Sequence, residues 1–123
     1  MKKLTKKQIF DLQIMYPWFD MKRVNDRTYW DDISYYQGLS EDFIREFKNK
    51  VNWDWISSYQ SLSENFIREF QDKVNWDNIS HFQHLSEDFI REFKDKVNWF
   101  LIIMDQSLSQ DFIEEMKKEG YIE

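Results

Sequence analysis

Val51-Asn-Trp-Asp-Trp-Ile-Ser-Ser-Tyr-Gln-Ser-Leu-Ser-Glu-Asn-Phe-Ile-Arg-Glu-Phe-Gln-Asp-Lys73 is one copy of a unit that fills most of the chain. An earlier copy runs from Thr28 to Lys50, and later ones start at Val74 and Val97. Trp30, Trp53, Trp76 and Trp99 therefore recur every 23 residues. Self-similarity at such a period is the mark of stacked repeats, each too small to bury its apolar face alone.

Inside the unit, Val51, Trp53, Ile56 and Tyr59 have helical spacing, as do Leu62, Phe66, Ile67, Phe70 and Val74. Ser63 followed by Glu64 reads as a helix start, with Leu62 and Ile67 at the two positions of a hydrophobic staple. Asn52, with Val51 and Ile56, repeats the arrangement one helix earlier. Each unit is thus expected to be two short helices, near residues 53–60 and 64–73, with the tryptophans in the core. Glu64 and Arg68, Arg68 and Asp72, and Glu69 and Lys73 are oppositely charged pairs four residues apart, expected on a solvated outer face. Helices this short are not stable alone, so stacking must supply their stability.

The expected fold is an all-α solenoid, with residues 28–123 as four two-helix repeats and a short tail forming one folded unit. Residues 1–27 read as a divergent amino-terminal cap. Leu4, Thr5, Ile9 and Leu12 match Leu39, Ser40, Ile44 and Phe47 at an offset of 35 residues, and Trp18 matches Trp53. An insertion follows near Phe19 to Arg27. Pro17 ends the cap helix or precedes the next one.

Composition fits this reading. The 123 residues are 41% hydrophobic and 19% aromatic, with two Gly and one Pro, which suits helices joined by short turns. No Cys is present, which removes disulfides and thiolate chemistry and suits a reducing compartment. Asp11 and Gln13 interrupt the apolar stretch from Ile9 to Tyr16, so no secretion signal is expected. The longest apolar run, Trp99 to Met104, falls far short of the roughly 20 residues needed to span a bilayer. Residues 1–27 carry seven basic and three acidic side chains (+4), and residues 28–123 carry ten and twenty (−10), which together give the net charge of −6. An acidic body repels phosphate, so direct nucleic-acid binding is not expected.

No pattern points to catalysis. Ser40, Ser63, Ser86 and Ser109 share one capping position, and a nucleophile would not recur four times. His81 and His84 lie three residues apart, but zinc usually takes three or four protein ligands and no third is evident. Hence no catalytic residue, cofactor or metal site is assigned. Gln37, Gln60, Gln83 and Gln106 recur at the end of the first helix and are expected to hydrogen-bond across the turn between repeats.

The motif Trp-Asp-x-Ile-Ser-x-Tyr-Gln-x-Leu-Ser-Glu-x-Phe-Ile-Arg-Glu-Phe resembles short tandem repeats in uncharacterised proteins of bacteriophages and large DNA viruses. The resemblance covers about residues 28–119. It implies a virus-encoded protein of the host cytoplasm that binds a host protein and blocks a defence factor; it carries over no activity and no site residue.

Binding is then expected where copies differ while their frame stays fixed. Those positions are Asp32, Trp55, Asn78 and Leu101, three residues on Tyr35, Ser58, His81 and Met104, and at the turn Gly38, Ser61, His84 and Ser107; stacking would align the first two sets into one stripe. Tyr35, Trp55, Asn78 and His81 are the expected partner-binding residues. Trp55 is foremost, since Trp and Tyr are favoured anchors. Two rival readings are an acidic mimic of nucleic acid lying in a basic groove and a purely structural assembler. In the last repeat Phe100, Leu101, Ile103 and Met104 make the first helix apolar nearly all round. The tail, a partner or a second protomer must cover it, and a homodimer through these four residues is expected.

Overall fold

The computed structural model describes residues 4–36 and 38–123, and among them the chain is all-helical. The described elements are α1 (Lys6–Met15), a 3-10 turn at Met21–Arg23, α2 (Arg27–Tyr36), α3 (Glu41–Glu46), α4 (Trp53–Tyr59), α5 (Glu64–Glu69), α6 (Trp76–Phe82), α7 (Glu87–Glu92), α8 (Trp99–Asp105) and α9 (Gln110–Glu119). The first helices of successive repeats stack in a row, α2 on α4, α4 on α6 and α6 on α8. Side-chain hydrogen bonds that join repeats span 18 to 26 residues of sequence, so each unit is held by its immediate neighbours. One apolar core runs the length of the stack from Leu12 to Ile122.

The helix starts follow from their caps. Ser40, Ser63, Ser86 and Ser109 each accept a 3.1 Å bond from the backbone N–H three residues on. Asn52, Asn75 and Asn98 do the same for α4, α6 and α8. At the amino end Thr5 caps α1 in a reciprocal box with Gln8. Leu12 is fully buried beneath α1. Trp18 does not begin a helix as Trp53 does; it follows one and lies 5.7 Å from the Phe43 ring.

Three sequence expectations change in the structure. The second helix of the unit ends at Glu69, not near residue 73, and Phe70 is its cap. The chain turns there because the next tryptophan needs a freed carbonyl: the Trp76 indole donates to Gln71 O at 3.0 Å, as Trp53 donates to Lys48 O and Trp99 to Lys94 O. Those indoles are half-buried lids on Phe66, Phe89 and Phe112, and Trp30 alone of the four is in the core. The charged face does not pair at the expected spacing of four: within a helix Arg45 meets Asp42 and Arg91 meets Asp88 three residues apart. Arg68 instead bonds Asn65 and reaches Glu92 of the next repeat, and Glu64 holds Ser86.

The glutamines bridge repeats as their recurrence predicts. Gln83 accepts from Leu62 N at 3.1 Å and donates to Ser57 O and Gln60 O at 2.9 and 2.7 Å, and Gln106 repeats the pattern one unit on. Gln37 lies outside the described residues. Tyr59 shares the apolar helical spacing of Val51, Trp53 and Ile56, yet it is exposed, as are Tyr36 and Phe82 at the matching positions.

Candidate functional site

Because α2, α4 and α6 stack in register, residues 23 apart come to lie side by side on their outer face. Tyr35 and Trp55 are 37% and 38% exposed, and their rings meet edge to face at 5.2 Å. Tyr59 touches both, at 4.4 and 5.5 Å, and stacks on Phe82 at 6.1 Å. The result is a continuous aromatic strip across three repeats, with its rings in offset or edge contact as the quadrupoles favour. Surrounding groups strip water from the Tyr59 hydroxyl and raise its pKa above the ordinary phenol value, with Tyr35 adding to the shift.

A cleft of about 460 Å³ opens in this strip between α4 and α6, lined by Asn52, Asp54, Trp55, Tyr59, Asn78 and Phe82 among others. Asn78 is pinned there: its amide donates to Asp54 O at 3.2 Å while its backbone N–H bonds Asn75. His81 lies one step away. Its Nδ1 is 2.5 Å from Asp105 and its ring packs on Phe82 at 4.1 Å. Thus Tyr35, Trp55 and Asn78 form one surface, and His81 borders it through Phe82. Tyr36, Tyr59 and Phe82 were missed because their spacing reads as core. The signal against that reading was Asp105, which fills the same position in the last copy.

The two rows of helices differ in charge, the first acidic and the second mixed. From Thr28 on, α2, α4, α6 and α8 carry Asp31, Asp32, Asp54, Asp77 and Asp105 and no Lys or Arg. The second helices carry the guanidinium groups. Arg45, Arg68 and Arg91 pair with Glu69, Glu92 and Glu115 of the following repeat, each lying over a Phe ring as well. Hydrogen bonds from Arg45 and Arg91 hold Glu69 and Glu115 below the ordinary carboxylate range.

The carboxyl-terminal end is built differently. In the inner repeats Asp31, Asp54 and Asp77 hold the next Asn cap, Ser34, Ser57 and Ser80 accept its N–H, Glu41, Glu64 and Glu87 grip the next Ser, and Arg45, Arg68 and Arg91 grip the next Glu. The last repeat places Phe100, Ile103, Gln110 and Glu114 at these four positions. Phe100 and Met104 are 69% and 65% exposed, Ile103 is exposed and Leu101 is half-buried. The tail does not cover them. Gly120 closes α9 at φ 88°, Tyr121 stacks on Trp99 and bonds Asp95, and Ile122 edges a 430 Å³ groove with Ile103, Leu108 and Ile113. On the cap, Phe10, Ile14 and Met15 form a second exposed apolar patch.

Among the described residues no group of three or more His, Asp and Glu could hold a metal ion, and no helix is long and apolar enough to cross a membrane. Comparison with protein-family models, curated proteins and solved structures finds no match.

Proposed function

We propose that the chain is a non-enzymatic protein-binding repeat protein, and that its partner docks on the aromatic strip of α2, α4 and α6. The observation that carries this reading is the ring-to-ring continuity of Tyr35, Trp55, Tyr59 and Phe82 on an outer face that their own repeats leave uncovered. Rigid aromatic side chains lose little conformational freedom on contact and dominate interface energetics. Taken with the motif's resemblance to phage and large-virus repeats, the partner is a host protein of the cytoplasm whose action the chain blocks.

The acidic-mimic alternative is less well supported. Glu69, Glu92 and Glu115 are each engaged by an arginine, so the second-helix face is a mixed-charge ladder and not a bare anionic rail. Affinity capture from the native host with wild type and Trp55→Ala, read by mass spectrometry, tests the proposal. A protein recovered by wild type and lost with Trp55→Ala supports it. A partner held equally by both, and released steeply by salt, returns the mimic.

A second reading concerns assembly. We propose that two copies join through Phe100, Leu101, Ile103 and Met104, since an apolar patch set beside a two-fold axis buries itself and closes the assembly. Light scattering on wild type and on a Leu101→Glu/Met104→Glu variant tests this.

A further inference from the structure

The aromatic strip has a property that its continuity alone does not explain: it combines exposed π-faces with negative charge and, among the described residues, no Lys or Arg lies over Trp55, Tyr59, Tyr35 or Phe82. The helices that carry these rings bring four aspartates, Asp31, Asp32, Asp54 and Asp77, and, beyond Arg27, no Lys or Arg. Asp54 lines the cleft with Trp55 and Tyr59, and is exposed. One of its oxygens, Oδ1, accepts from Asn75 at 3.0 Å.

On its other face the same fold shows what such a pairing takes. Arg45, Arg68 and Arg91 each lie 5.2–5.5 Å from the centre of a Phe ring while their nitrogens bond a glutamate. A guanidinium between a π-face and a carboxylate is therefore a contact this chain makes three times internally. Trp55 with Asp54 offers the same two components outward with the cation missing. The indole adds a donor: Trp53, Trp76 and Trp99 spend their N–H on a backbone carbonyl, whereas among the described residues the Trp55 N–H has no partner.

We propose that the cleft between α4 and α6 recognises an arginine- or lysine-bearing segment of the partner protein, its cationic head lodged against Trp55 and Tyr59 beside Asp54. The inference rests on the aromatic strip being the docking surface and adds the chemistry of the occupant. Cations are drawn to aromatic faces within about 6 Å of the ring centre, Trp most strongly, and a nearby carboxylate adds attraction while repelling acidic competitors.

The test uses the full chain, a short peptide of alternating glycine and arginine, and its twin in which citrulline, a neutral isostere, replaces arginine. Nitrogen–proton NMR follows the indole signals, with Trp55 assigned as the one missing in Trp55→Phe. The arginine peptide is expected to move the Trp55 signal at least as far as any other indole, with affinity about tenfold or more lower for Trp55→Ala. Asp54→Asn, which keeps an oxygen for Asn75, should weaken it several-fold, and the citrulline twin should not bind. Equal binding of both peptides overturns the cationic recognition. So does a response confined to the second helices, or no response at all. Loss of the host partner with Trp55→Ala, measured separately, would leave the docking surface standing even then.

Discussion

Arg68 holds Glu92 from 24 residues away, its Nε 2.9 and 3.0 Å from the two carboxylate oxygens, while its guanidinium lies 5.3 Å from the centre of the Phe89 ring. The same arrangement joins Arg45 to Glu69 and Arg91 to Glu115. Each link connects one repeat to the next, so the ladder fixes stacking register along the second helices as Gln60, Gln83 and Gln106 do inside the turn.

Hydrogen bonds from Arg45 and Arg91 depress the pKa values of Glu69 and Glu115 in the folded state. A depressed carboxylate contributes stability that is complete above its unfolded value, about 4.3, and is lost as pH falls through the folded value. The denaturant midpoint of wild type should therefore drop as pH goes below about 4.3. In Arg45→Gln/Arg91→Gln this contribution to the drop should disappear, and the neutral-pH midpoint should already be lower. Because the pairs are partly solvated, salt should narrow the gap between the two proteins at neutral pH.

Gln83 is buried and its amide serves three backbone groups: Leu62 N, Ser57 O and Gln60 O. Truncation to Ala removes the Gln83 amide from all three in a buried turn. An unsatisfied buried group costs about 1–3 kcal/mol, so Gln83→Ala should lose about 3 kcal/mol in urea unfolding, allowing for some relaxation. Gln83→Glu turns an acceptor oxygen toward two carbonyls and should be as harmful at neutral pH, with part of the loss recovered in acid once the carboxyl is protonated and can donate.

The caps and the two-helix unit could be read from one copy because they depend on residues close in sequence, and the glutamine bridges from strict recurrence across the copies. The arginine ladder could not. Arg68 has carboxylates at Glu64 and Asp72 within its own copy, and nothing in the string says that its partner is Glu92, since that choice depends on how neighbouring helices are spaced. The half-burial of Trp53 and the end of α5 share a cause equally hidden in sequence, the demand of each indole N–H for the carbonyl of Lys48, Gln71 or Lys94. Of the site, variation singled out Tyr35, Trp55, Asn78 and His81. Tyr59 and Phe82 escaped because a helical apolar spacing does not reveal which edge of the stripe faces water.

Trp53 and Trp55 separate stability from recognition. Trp53 stacks on Phe66 and Phe70 and bonds Lys48 O, so Trp53→Ala should cost about 2 kcal/mol or more. Trp55 contacts Tyr35 and Tyr59 on an open surface, and Trp55→Ala should shift the melting temperature far less while abolishing partner capture. Thermal melts of both variants decide it. A loss for Trp55→Ala as large as that for Trp53→Ala would make the strip a structural element.

The end face should behave as an interface. Changing Leu101 and Met104 to Glu places two charges where wild type presents Phe100, Ile103 and Met104, which should turn a dimer into a monomer by light scattering with the helical circular dichroism kept. Wild type that is already monomeric at high micromolar concentration would remove the dimer.

Copy number gives the sharpest test of the ladders. Deleting Val51–Lys73 would bring Asp31 and Ser34 to Asn75, Glu41 to Ser86 and Arg45 to Glu92, so every link cut is remade by a residue of the same type. The shortened chain should fold with a cooperative melt, whereas removal of half a unit should not leave a folded protein. The converse differs by position. An extra copy of residues 51–73 inserted after Lys73 meets matching partners on both sides and should raise the melting temperature. The same copy appended after Glu123 would face Phe100, Ile103, Gln110 and Glu114, none of which can supply the aspartate, serine, glutamate or arginine that its Asn, Ser and Glu require. It should remain unfolded, visible as sharp central amide signals by NMR. An appended copy that folded as well as an inserted one would show that apolar contact alone sets the stacking and that the polar ladders are dispensable.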